Sequence, residues 1–118
     1  MDPKSLGLAK QQIGKKLKIV IDRKLGSKHP KYGFEYPVNY GYLEGVIAPD
    51  GEELDAYLLK VTEPVESYEG VVVAIVHRTE DDDDKIVVVP DGQSVTDEEI
   101  EKLVEFQEKW FKHEIIRK

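Results

Sequence analysis

Lys16-Leu17-Lys18-Ile19-Val20-Ile21-Asp22 alternates along its length. Leu17, Ile19 and Ile21 fall on one face of a strand, and Lys16, Lys18, Val20 and Asp22 on the other, so one face is offered to a core. Further β-type segments, rich in Val, Ile, Leu and Tyr, follow at about residues 39–48, 54–61, 70–78 and 85–89. Between the first two, Gly26, Pro30 and Gly33 among basic and aromatic residues read as a loop or a short irregular hairpin. The period then changes. Ile100, Leu103, Val104, Phe111 and Ile115 recur at helical spacing, Thr96 with Glu99 has the capping-box arrangement, and Glu98–Lys102, Glu105–Lys109 and Glu108–Lys112 are i, i+4 pairs in the favourable order. Five short strands and one amphipathic helix predict a mainly β fold: a small closed or partly open barrel, with a C-terminal α-helix packed on it.

With 118 residues and 40% hydrophobic content the chain suffices for one core. Residues 1–13 show no clear period and read as a loosely held N-terminal arm; residues 14–118 read as a single barrel domain. There is no cysteine, which excludes disulfides, thiolate metal sites and a cysteine nucleophile. The longest apolar runs, Val71 to Val76 and Ile86 to Val89, are far short of a membrane span, and no signal-type stretch opens the chain, so the expected setting is cytoplasmic. A formal charge of −7 disfavours nucleic acid, whose binding depends on basic groups neutralising phosphates. The same acidity suits hard divalent cations where carboxylates cluster.

Two such clusters exist. Asp50-Gly51-Glu52-Glu53-Leu54-Asp55 puts four carboxylates within six residues where a Pro49-Asp50-Gly51 turn feeds a strand. Their mutual repulsion makes the turn a candidate magnesium site, against the plainer reading of a solvated acidic turn. Glu80-Asp81-Asp82-Asp83-Asp84-Lys85 is a second acidic run, between two strands expected to pair as a hairpin; alone, such a run is more often a solvated loop. Tyr36, Tyr40 and Tyr42 gather around Pro37, Asn39 and Gly41, as half-buried packing or as a wall of hydroxyl donors for an anion. Lys18, Lys28, Lys31, Lys85 and Lys112 are cations able to hold phosphate if they converge. No glycine-rich phosphate loop occurs, His29, His77 and His113 lack metal-ligand spacing, and no serine sits in a nucleophile motif.

The segment Tyr36-Pro37-Val38-Asn39-Tyr40-Gly41-Tyr42, followed eight residues on by Asp50-Gly51-Glu52-Glu53-Leu54-Asp55-Ala56, resembles the signature of soluble family I inorganic pyrophosphatases. The resemblance runs through Lys18, Lys28, Lys85 and Phe111-Lys112, covering roughly residues 14 to 112. It implies an OB-like five-stranded barrel whose open mouth binds Mg2+ and pyrophosphate. Asp50 and Asp55 match the family's metal-ligand aspartates, and Glu52 matches the acid that orients or deprotonates the attacking water. In the shorter second loop the two further metal ligands match Glu80 or Asp81, and Asp83 or Asp84. Lys18, Lys28, Tyr40, Lys85 and Lys112 match positions that hold phosphate. The sequence departs from the family at Val20, where a glutamate is usual, at Glu52, where an aspartate is usual, and at Phe111, where a tyrosine is usual.

The expected activity is therefore magnesium-dependent hydrolysis of inorganic pyrophosphate to two phosphates, by metal-activated water rather than a protein nucleophile. The alternatives are a substrate-shifted homologue acting on another small phosphoanhydride, and a catalytically silent one that binds phosphate or a protein partner. A nucleic-acid module using the tyrosines for stacking is disfavoured by the acids around them. A homo-oligomer is expected from the family, with an aromatic surface around Trp110.

Overall fold

The computed structural model of the chain describes residues 4–47, 51, 53–79 and 84–117. In chain order the elements are α1 (Lys4–Lys10), β1 (Lys16–Arg23), β2 (Asn39–Ile47), β3 (Glu53–Leu58), β4 (Ser67–Arg78), β5 (Asp84–Val89), α2 (Asp97–Glu108) and β6 (His113–Ile116). β1 pairs antiparallel with β2, β2 with β3, and β4 with both β5 and β1, while β3 and β5 pair in parallel. The cycle β1-β2-β3-β5-β4 thus closes on itself as the five-stranded OB-like barrel, and no edge of those five is left along the closure.

Alternation decides what fills it. Ile19, Ile21, Leu43, Leu54, Ala56, Leu58, Val72, Ile75, Ile86 and Val88 form the interior cluster. The opposite positions, among them Tyr57, Leu59, Val76, Val87 and Val89, form a second cluster under Ile100 and Val104 of α2. Beyond Asp55, His77 and Lys85, the stretches of β3, β4 and β5 under α2 are therefore apolar on both faces, one for the barrel and one for the helix. Gly41 is forced by closure: a Cβ there would lie 1.8 Å from the Val20 carbonyl oxygen. Asn39 is fully buried and works as a clamp; its Oδ1 accepts from the Leu25 and Val65 backbone N–H groups and its Nδ2 donates to the Glu63 carbonyl.

Two segments, one at each end of the chain, differ in detail from the sequence reading, while the hairpin between β1 and β2 agrees with it. Residues 4–10 form a helix whose Leu6 and Ala9 join the interior cluster. A seven-residue helix containing Gly7 is too short to hold by itself and is sustained by that docking. Residues 24–36 make the irregular hairpin, closed by an isolated bridge between Lys28 and Glu35. The capping box at Thr96 and Glu99 starts α2 as expected, but the helix ends at Glu108 instead of carrying on through Phe111 and Ile115. His113–Ile116 form β6, which pairs with Ile75–Arg78. β1 covers only Ser67–Val71 of that edge of β4, so β6 satisfies the backbone groups left over. No glycine or proline interrupts residues 96–118, so the helical period runs on in the sequence past the point where the edge captures the chain.

Candidate active site

The outward row Val20, Tyr42, Asp55 and Lys85 stands side by side on β1, β2, β3 and β5. The next row, Tyr40, Tyr57 and Val87, lies under α2 with Phe106 packed against it. The helix therefore covers half of the outer wall and leaves the row of Asp55 open. Lys85 is 3% exposed, its Nζ lies 2.9 Å from Asp55 Oδ2, and the same ammonium sits 5.8 Å from the centre of the Tyr40 ring. Burying an ammonium requires such a counter-charge.

Beside this pair Asp22, Tyr42, Gly51, Glu53 and Asp55 line a cleft of about 380 Å³. Burial raises the Asp22 carboxyl above the ordinary aspartate value and the negative charge of Asp55 raises it further, against the opposing pull of Arg23. Asp22 is the residue that sequence reading left without a role. The signal was present: it shares a strand face with Lys18 and Val20, one outward position beyond Val20. Glu53, in contrast, is tied locally, accepting from the Gly45 N–H through Oε2.

The remaining candidates divide. Lys18 lies on the same face of β1, exposed, with Glu44 at 4.0 Å. Lys28 lies on the hairpin bridge, off the barrel wall. Lys112 follows α2, and its carbonyl accepts from Thr79 at the end of β4, where the second acidic loop begins. Asp84 is buried on the interior side, Oδ1 2.5 Å from His77 Nδ1, so it and Lys85 look to opposite faces and it is not brought to Asp55. Asp50, Glu52, Glu80, Asp81 and Asp83 lie outside the described residues. Among the described residues no three His, Asp or Glu side chains are grouped closely enough to hold a metal. Topology supplies the rest of the argument. In the sequence the two acidic segments directly precede β3 and β5, and those strands are parallel neighbours in the register Asp55 to Lys85, so β3 and β5 begin at the same end of the barrel.

Under the wall, Glu108 is completely buried and accepts from Arg78 Nε at 2.8 Å and Nη2 at 3.0 Å, and from Tyr57 Oη at 2.6 Å. Burial pushes its carboxyl up, but Arg78 and Tyr57 outweigh that and hold it below the ordinary glutamate value. Burial and the Glu108 charge together put the Tyr57 hydroxyl well above the usual tyrosine range. Phe111 stacks on the Arg78 guanidinium at 3.8 Å.

The sequence profile described as inorganic pyrophosphatase matches residues 8–116. Among solved structures, the inorganic pyrophosphatase of Helicobacter pylori superimposes with a TM-score of 0.69 at 17% identity, over 91% of this chain and 87% of that one. That of Ehrlichia chaffeensis gives 0.66 at 18% identity, over 86% and 85%. The Thermus thermophilus enzyme gives 0.61 at 19% identity, over 85% and 79%. No curated protein matches the chain.

Proposed function

Because the chain belongs to the inorganic pyrophosphatase family, we propose that it hydrolyses inorganic pyrophosphate to two phosphates in the cytoplasm, with Mg2+ as its cofactor. The family implies a divalent metal, and the donor chemistry fits one: the open cleft offers the carboxylate oxygens of Asp22, Glu53 and Asp55, and the Asp22 carboxyl is raised chiefly by burial, with a smaller contribution from the Asp55 charge. The observation that carries the reading is the Asp55–Lys85 pair on adjacent parallel strands, each strand entered from an acidic segment.

Asp50 and Asp55 are assigned as cation ligands, joined from the second loop by Glu80 or Asp81 and by Asp83. Asp84 is the weaker choice, since its carboxylate is engaged by His77 on the interior side. A bound divalent cation lowers the pKa of water and offsets phosphate charge. Glu52 is assigned to orient the attacking water and accept its proton. Lys85 beside Tyr40, with Lys18, Lys28 and Lys112, supplies donors for phosphate oxygens, so that the anhydride is held in line with the water.

Phosphate release from pyrophosphate, measured with Mg2+ and again with excess chelator, tests this. Release that needs the cation is expected; release unaffected by the chelator, or none with any divalent metal, would overturn it.

A further inference from the structure

His113 is a titratable group that the proposed chemistry leaves unused. It opens β6, opposite Arg78 in the β4–β6 register, and its side chain is only 15% exposed. Both ring nitrogens face acceptors: Nδ1 lies 2.9 Å from the Phe111 carbonyl oxygen, and Nε2 lies 2.5 Å from Oε1 of Glu101 on α2. A carbonyl only accepts, and so does a carboxylate. A neutral imidazole carries one N–H and can serve one of the two, whereas an imidazolium carries two and serves both. The geometry is that of a charged ring.

The surrounding charges agree with it. Burial works against the imidazolium, but the Phe111 carbonyl and the carboxylates of Glu101 and Glu108 outweigh burial and hold the ring above the ordinary histidine value of 6.5. Both carboxylates come from α2. The opposing cation is Arg78 on β4, whose charge is taken up by Glu108, and Lys112 and Glu114 flank the ring along the chain.

The position of the ring gives its charge something to hold. α2 ends at Glu108 and β6 begins at His113, so residues 109–112 make the whole reversal between them. One bond of His113 closes that turn at Phe111, and the other ties it to the body of the helix at Glu101. Beside it the Lys112 carbonyl accepts from the N–H and the hydroxyl of Thr79, so the same turn also holds the end of β4.

We propose that His113 is a pH-operated clasp: its imidazolium locks the turn between α2 and β6, and loss of one ring proton to solvent releases that turn and frays β6 from the edge of β4. In either neutral tautomer one of the two bonds is gone, and a ring lone pair then faces an oxygen lone pair. The sign follows from the raised value: the clasp contributes fully below 6.5, and its contribution is lost as pH rises through the folded pKa.

Two measurements on the whole chain test this, and neither needs substrate, so their outcome is independent of the hydrolase reading. Long-range ¹H–¹⁵N spectra of the imidazoles should show both His113 nitrogens protonated at about pH 6, with a midpoint above the ordinary histidine value that Glu101→Gln lowers. Amide hydrogen exchange of β6, taken as a ratio to that of β5 to cancel the intrinsic effect of pH, should rise about fivefold as pH passes that midpoint. The factor is that of one charge-assisted hydrogen bond to a half-exposed carboxylate. In His113→Gln the ratio should be high and independent of pH. A neutral His113 ring at about pH 6, a midpoint that Glu101→Gln leaves in place, or an exchange ratio flat in the parent overturns the clasp. The parent's own titration and exchange decide the matter even where a variant fails to fold.

Discussion

Asp55 faces two ways: it pairs with Lys85, which needs its charge to stay buried, and it lines the open cleft, where the proposed function makes it a cation ligand. Asp55→Asn keeps an oxygen for Lys85 but removes the charge. It should lower pyrophosphate turnover about a hundredfold or more, the scale of losing one preorganised electrostatic group, while circular dichroism stays unchanged. Near-normal turnover would reduce Asp55 to a counter-ion for Lys85. Glu52→Gln should be nearly inactive for a different reason, because an amide cannot accept the proton of water. A rate within about twofold of the parent would remove Glu52 from the reaction. Gly41 tests the fold at the same scale. With a Cβ 1.8 Å from the Val20 oxygen, Gly41→Ala must push β1 and β2 apart, and a loss of about 3 kcal/mol or more in urea unfolding is expected. An alanine variant as stable as the parent would show that the barrel seam yields at this point.

Between elements, the contact that joins α2 to the barrel is the buried group of Glu108, Arg78 and Tyr57. Glu108→Gln leaves Arg78 buried without its counter-charge, which costs about 3 kcal/mol at neutral pH. The folded pKa of Glu108 lies below its ordinary value of 4.5, so the carboxylate's contribution is present above that value and is lost as pH falls below it. The stability difference between parent and variant, from urea melts, should therefore shrink between about pH 7 and pH 3. A difference independent of pH would mean that the amide fails by shape and not by charge. Phe111 stacks on Arg78 and Lys112 follows it, so the same group also anchors the chain that leads into β6.

The barrel closes so that β3 and β5 begin at the same end, and under the proposed function a cation bound there has a thermodynamic consequence. A cation that binds the folded chain and not the unfolded one stabilises it, by about 2.7 kcal/mol at a concentration a hundred times its Kd. Saturating Mg2+ should raise the Tm by several degrees, and Asp55→Asn should abolish most of that rise. An equal rise in parent and variant would mean that the cation acts elsewhere. The readout does not depend on turnover, so it separates a metal-binding but inactive chain from an active one. Among the described residues no helix is long and apolar enough to cross a membrane.

All five barrel strands and the start of α2 were legible in the residues themselves. Alternation from Lys16 to Asp22 and the Thr96–Glu99 capping box are patterns closed within a few positions, where backbone geometry alone decides which side chains share a face or meet. The Tyr36–Tyr42 segment was legible for the same reason, as dense local chemistry. Tertiary pairing decided the rest. It turned Asp84 inward to His77 and Lys85 outward to Asp55, and it set Asp22 beside that pair. The same pairing stopped α2 at Glu108, because an open stretch of β4 bound the following residues more favourably than another helical turn would. It also docked α1 into the barrel, although nothing within seven residues could have held that helix. Such outcomes depend on which strands become neighbours and which backbone groups are left unpaired. Those are properties of closure across tens of residues, and no local period records them.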